Sequence, residues 1–195
     1  MKITNMKLEK SVKRDECAGC GSDNFSVIYN FGEIPLAGSF PLESKRFNIQ
    51  KFPLSIIMCN DCKLVQTDTL IEPEVLFKDY RYISSVGMQK HFNSYADWLV
   101  SKEGVKPINS VLEFGCNIGL NLKAIKKLNQ KCELNGVEIN QVAVKEARKI
   151  KGANIVEDSI YNVNFSKKFD LVFTKGVLIH LNPKLINKAY KKIYD

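Results

Sequence analysis

The chain has 195 residues, 45% of them hydrophobic, and a formal net charge of +8 from 29 basic and 21 acidic residues. That length and apolar content allow one medium domain or two small ones with a buried core. No apolar run approaches the roughly 20 residues that span a bilayer, and the start MKITNMKLEKSVKRDE lacks the apolar segment of a secretory leader, so a cytoplasmic protein is expected.

Six cysteines in such a compartment point to metal before disulfides. Four of them form two Cys-x-x-Cys pairs, Cys17/Cys20 in CAGCGS and Cys59/Cys62 in CNDCKL. Each knuckle aims two thiolates at one point, which suits tetrahedral zinc, and four thiolates leave no open position for water. Structural zinc in a small ribbon is therefore expected, with strands at FSVIYNF and FPLSIIMC. Gly21 follows the first pair and fits a left-handed turn; Lys63 stands at the matching place, where its charge is expected to favour the anionic cluster.

A connecting segment follows. Met88 to Val100 carries Phe92, Tyr95, Ala96 and Leu99 at helical spacing, so a helix packed on the next domain is expected, with His91 as a surface or packing residue. Tyr80, Tyr82, Ser84 and Ser85 form a polar, aromatic loop ahead of it, and Tyr82 is a candidate cover for a ligand.

From residue 108 strands and helices alternate: SVLEFG, LNLKAIKKLN, CELNGVEI, QVAVKEARKI, ANIVED, KFDLVFTKG and PKLINKAYKKIY. This order gives a parallel, doubly wound sheet, so the fold class is α/β, a zinc ribbon followed by an incomplete Rossmann-like sheet. The expected divisions are 1–70, 71–107 and 108–195. In the last helix Ile186, Ala189, Tyr190 and Ile193 form one stripe, with Asn182-Pro183 at its start.

The turn in VLEFGCNIGLNL decides the cofactor. A dinucleotide fingerprint needs G-x-G-x-x-G, whereas this turn runs Gly115, Asn117, Gly119 and lacks the glycine on which a pyrophosphate would press. Glu113, two residues before Gly115, would repel a pyrophosphate and attract the ammonium of S-adenosylmethionine. Glu138 in GVEIN is placed for the ribose hydroxyls, and Asp158 in VEDS for the adenine amino group. Acid, glycine turn, acid, acid is a methyltransferase order, and S-adenosylmethionine is the expected cofactor. Thr174 to His180 would border the methyl group at the switch point of the sheet, with Lys175 beside the cofactor and His180 as a pocket residue or catalytic base. Cys116 and Cys132 read as small apolar residues.

Across most of its length the chain resembles the zinc-binding sugar C-methyltransferases of deoxysugar and capsule pathways. The carrying residues are CAGCGS, FGEIPLAGSF, CNDCKLVQ, LFKDYRYISS with His91 beyond it, and VLEFGCNIG. The tail VFTKGVLIHLNPKLINKAYKKIYD is similar to methylases associated with pseudaminic acid biosynthesis. The resemblance implies Cys17, Cys20, Cys59 and Cys62 as zinc ligands, and Glu113, Gly115, Glu138 and Asp158 around S-adenosylmethionine. It also implies a small-molecule sugar substrate, without nucleic acid or membrane. That family continues with further strands and a substrate domain beyond the first four strands found here, so a fragment, a completing polypeptide or a homo-oligomer at the fourth-strand edge is expected. Two other classes are a zinc-ribbon RNA methyltransferase, suggested by the charge, and a non-catalytic cofactor-binding remnant.

Overall fold

The computed structural model describes residues 11–37, 49–72, 75–76, 86–101 and 107–195. The chain divides into two compact units, Met1–Leu76 and Phe77–Asp195.

The first unit is antiparallel. Strand β2 (Phe25–Pro35) pairs with β3 (Lys51–Cys59), which pairs with β4 (Val65–Thr67), while β1 (Ser11–Lys13) pairs with β5 (Thr69–Ile71). In β3 Ser55, Ile57 and Cys59 are buried in alternation, with Phe52 buried out of step near its start, and β2 is largely exposed along its length. So small a core needs another source of stability, and the two strand ends converge on the cysteines.

The second unit is built on four parallel strands, β6 (Ser110–Phe114), β7 (Glu133–Glu138), β8 (Ala153–Glu157) and β9 (Leu171–Thr174), in the order β8-β7-β6-β9. The chain moves outward from β6 through β7 to β8, then returns to place β9 on the other side of β6. Helices α1 (Gln89–Val100), α2 (Leu120–Leu128), α3 (Gln141–Ala147) and α4 (Ile186–Tyr194) surround this sheet.

Strand alternation sorts two cores. Val111 and Leu134 pack with Ala96, Leu122, Ile125 and Val144 on the α1, α2, α3 side. Leu112, Phe114 and Val137 pack with Ile160, Val163 and Ala189 on the other. The α1 stripe lies as its spacing implies, with Phe92 and Ala96 buried and Tyr95 and Leu99 against the first core. The α4 stripe is narrower: Ala189 is buried and Ile193 packs beside it, but Tyr190 is 53% exposed. The α/β class and the parallel order of the second unit agree with the sequence reading. The loop holding Tyr80, Tyr82, Ser84 and Ser85 lies outside the described residues.

Candidate functional site

In the first unit the Sγ atoms of Cys17, Cys20, Cys59 and Cys62 lie within 4.8 Å of one another. Cys17 and Cys62 approach to 3.5 Å and Cys20 and Cys59 to 3.6 Å, far beyond a disulfide and close to the ~3.8 Å edge of a tetrahedron with 2.3 Å Zn–S bonds. The knuckles repeat one geometry: Gly21 N–H donates to Cys17 O, and Lys63 N–H donates to Cys59 O, both at 2.9 Å. Both turn residues are left-handed, Gly21 at φ 77° and Lys63 at φ 64°. The Lys63 side chain does not serve the cluster as expected; its ammonium donates to Asn60 O at 2.6 Å.

Backbone N–H groups hold the thiols unevenly. Cys17 is lowered to about 6, first by the Cys20 N–H, and Cys59 is lowered, first by the Cys62 N–H. At Cys62 the Leu64 N–H pulls down, yet Cys20 and Cys17 beside it push the thiol up to about 12. Four sulfurs this close cannot all ionise without a counter-charge, which a divalent ion supplies. The donor set and spacing fit zinc. Gln66 was not legible as part of the site: its amide donates to Cys17 Sγ at 3.3 Å while its oxygen accepts from Ala18 N–H at 3.1 Å.

In the second unit the glycine turn joins β6 to α2. Gly115 (φ 71°), Asn117 (φ 47°) and Gly119 (φ 75°) are all left-handed, so asparagine fills a position that glycine commonly holds. A Cβ on Gly115 would meet Val177 Cγ2 at 2.1 Å, and one on Gly119 would meet Ile150 Cδ1 at 2.3 Å.

The carboxylates flank this turn. Glu138, ending β7, accepts from Asn117 N–H at 2.8 Å through Oε2, and from Ile139 and Asn140 N–H, both at 2.9 Å, through Oε1. Backbone donors thus fill about three of its four acceptor sites. The reading in which both ribose hydroxyls bind this carboxylate requires some of these bonds to exchange. Asp158, after β8, accepts from Ser159 N–H at 2.7 Å and is half-buried.

Glu113 lies on the core face of β6, only 2% exposed. Asn121, in the first turn of α2, donates to its Oε1 at 2.5 Å. Glu113 Oε2 and Asn121 Oδ1 are buried with no partner. Burial pushes the Glu113 carboxyl up to about 8, against the Asn121 hydrogen bond, and the Glu138 charge adds to the rise.

Lys175 follows β9 directly. Its ammonium lies 4.8 Å from the Phe92 ring and 4.6 Å from the Tyr95 ring, and donates to His91 Nε2. Burial lowers it, while attraction from Glu113 opposes the drop. Tyr95 is raised, first by burial and then by Glu113. His91 is exposed, in keeping with the surface or packing reading, and it also contacts Lys175. His180 is exposed in the single turn Leu178–His180, whose N–H donates to Val177 O at 2.9 Å. Cys116 and Cys132 are buried and their thiols raised by that burial, in keeping with a packing role.

Residues 17–77 match the family described as "Putative zinc binding domain", and residues 111–195 match the family described as "Methyltransferase domain". The C-methyltransferase NovU of Streptomyces niveus is 34% identical over 116 residues, covering 58% of this chain and 28% of that protein. The plantazolicin methyltransferase BamL, in complex with a triazolic desmethylPZN analog and SAH, is 22% identical, with 56% of this chain and 42% of that one covered and a TM-score of 0.49. SAM-bound CalS10, an amino pentose methyltransferase from Micromonospora echinaspora, is 15% identical, with 54% and 44% covered and a TM-score of 0.42. The chain spans less than half the length of each of these relatives.

Proposed function

We propose that this chain, in which a methyltransferase domain over residues 111–195 follows a four-cysteine module of the zinc-binding type, transfers a methyl group from S-adenosylmethionine to a carbon of a small sugar. One observation carries the cofactor: the left-handed turn Gly115 to Gly119 stands between two carboxylates, one fixed by backbone donors and one holding a buried, unpartnered oxygen. That oxygen of Glu113 and the orphaned Asn121 Oδ1 are two acceptors beside a single donor bond, the complement of an ammonium with three N–H groups. Glu138 and Asp158, at the ends of adjacent strands, provide the acceptors for ribose and adenine. The residues present fit the group. A pyrophosphate, by contrast, would face the Glu138 carboxylate and, at Glu113, a buried acid whose ionised form an ammonium favours and an anion disfavours.

When bound, S-adenosylmethionine supplies an electrophilic methyl on a sulfonium. The residues of this chain position it and handle charge. Thr174 to His180, on the β9 side of the crevice, border the acceptor, and carbon attack there requires a base to remove a proton next to a carbonyl. His180 is assigned this role or a contact with the acceptor, and Tyr82 a cover over the site. Cys17, Cys20, Cys59 and Cys62 would hold a zinc ion with no position left for water, which would staple the first unit and take no part in transfer.

The carbon acceptor is supported by the 34% identity to a C-methyltransferase, and carbohydrate by the resemblance of the cysteine knuckles and the tail to sugar-methylating enzymes. The test is incubation of the zinc-loaded protein with S-adenosylmethionine labelled with 13C at the methyl and a nucleotide-linked keto sugar. A new C–CH3 resonance in the sugar is expected. Label appearing in RNA offered alongside, or an O–CH3 product, overturns the assignment.

A further inference from the structure

The ammonium of the cofactor has an acceptor in the Glu113–Asn121 pair, but its amino-acid end also carries a carboxylate, and no residue considered so far answers it. Lys175 is the cation that couples to Glu113 across the crevice, at the first position after β9, between the ends of β6 and β9. Its ammonium has three N–H groups, of which one goes to His91 Nε2. A lysine ammonium only donates, so this bond requires His91 in the neutral form with Nε2 unprotonated. The faces of Phe92 and Tyr95, 4.8 and 4.6 Å away, hold the ammonium from another side. A flexible stem is thus fixed at its tip by an α1 histidine and two α1 rings, leaving two N–H groups for a ligand.

We propose that Lys175, steadied by His91, receives the carboxylate of the amino-acid end while Glu113 receives its ammonium, so that the crevice reads the zwitterion. This rests on S-adenosylmethionine being the cofactor. His91 acts as a positioning residue through Lys175.

The experiment is calorimetric titration of the zinc-loaded protein and its Lys175→Met variant with S-adenosylhomocysteine and with its decarboxylated analogue, which keeps the ammonium. Methionine retains an unbranched stem against the rings. A hydrogen bond between charged partners is worth about 10- to 100-fold in affinity. The parent protein is therefore expected to bind S-adenosylhomocysteine about 10- to 100-fold more tightly than the analogue. Lys175→Met is expected to lose that difference while binding the analogue as the parent does, which also shows that the variant is folded. His91→Gln, which keeps an acceptor, is expected to lose less than His91→Leu. Equal weakening of both ligands by Lys175→Met, or an unchanged preference, overturns the carboxylate role. A parent protein that binds neither ligand overturns the cofactor assignment itself.

Discussion

At Glu113 the sequence showed an acid before a glycine turn, but its energetics arise from burial. The carboxyl is 2% exposed and raised from 4.5 to about 8. Between those values the folded chain keeps a proton that the unfolded chain has lost, so stability falls as pH rises through this window and levels off above it. Glu113→Gln removes that slope: chemical denaturation from pH 5 to 8 is expected to show a flatter profile and a more stable protein at pH 8. A slope unchanged by the substitution would show that Glu113 is not its source. Gly115 has a second constraint that the motif does not reveal, since Val177 packs where a Cβ would stand. Left-handed strain plus that overlap predicts a loss of about 2 to 4 kcal/mol for Gly115→Ala in the same measurement. Lys63 is the reverse case, a side chain at φ 64° where glycine is at ease. Lys63→Gly is expected to stabilise the zinc module, seen as a higher melting temperature, by about 1 kcal/mol of relieved strain less the bond to Asn60. What sequence left unread here were polar partners, Asn121 for Glu113 across the glycine turn, and Gln66 for Cys17 and His91 for Lys175 distant along the chain. Polar residues of this kind carry no spacing signal.

Among the elements, the alternating strands and helices of the second unit were legible because each apolar period matches one element and one face. The last helix was less so: its stripe of four gave Tyr190 a buried place, yet the residue stands half-exposed because Ala189 faces the sheet directly. In the first unit, strands β2 and β3 were readable as apolar runs, but their packing was not, since Val27, Ile28, Tyr29 and Phe31 remain exposed. With so little buried apolar area, the module must draw its stability from metal. A chelator is expected to abolish the melting transition of the first unit and leave that of the 77–195 unit in place. Cys59→Ser, at the fully buried ligand, is expected to reproduce the chelator's effect without any chelator. Retention of both transitions without metal would contradict a structural zinc.

At the scale of the whole molecule, two units of different build share one chain, a small antiparallel ribbon closed by four cysteines and a parallel sheet with its crevice at the strand order reversal. The charge of +8 suggested nucleic acid, yet several lysines are engaged within the fold, Lys149 with Glu146, Lys167 with Glu133 and Lys192 with Asn164. Among the described residues no helix is long and apolar enough to cross a membrane. The central claim is that the crevice between β6 and β9 takes S-adenosylmethionine and refuses a dinucleotide. It is tested most directly by calorimetric titration of the zinc-loaded protein with S-adenosylmethionine and, separately, with NAD. Saturable binding of one S-adenosylmethionine per chain, lost in Glu138→Ala, with no heat from NAD, is the result expected. Binding of NAD, or no binding of S-adenosylmethionine by the folded protein, would contradict it.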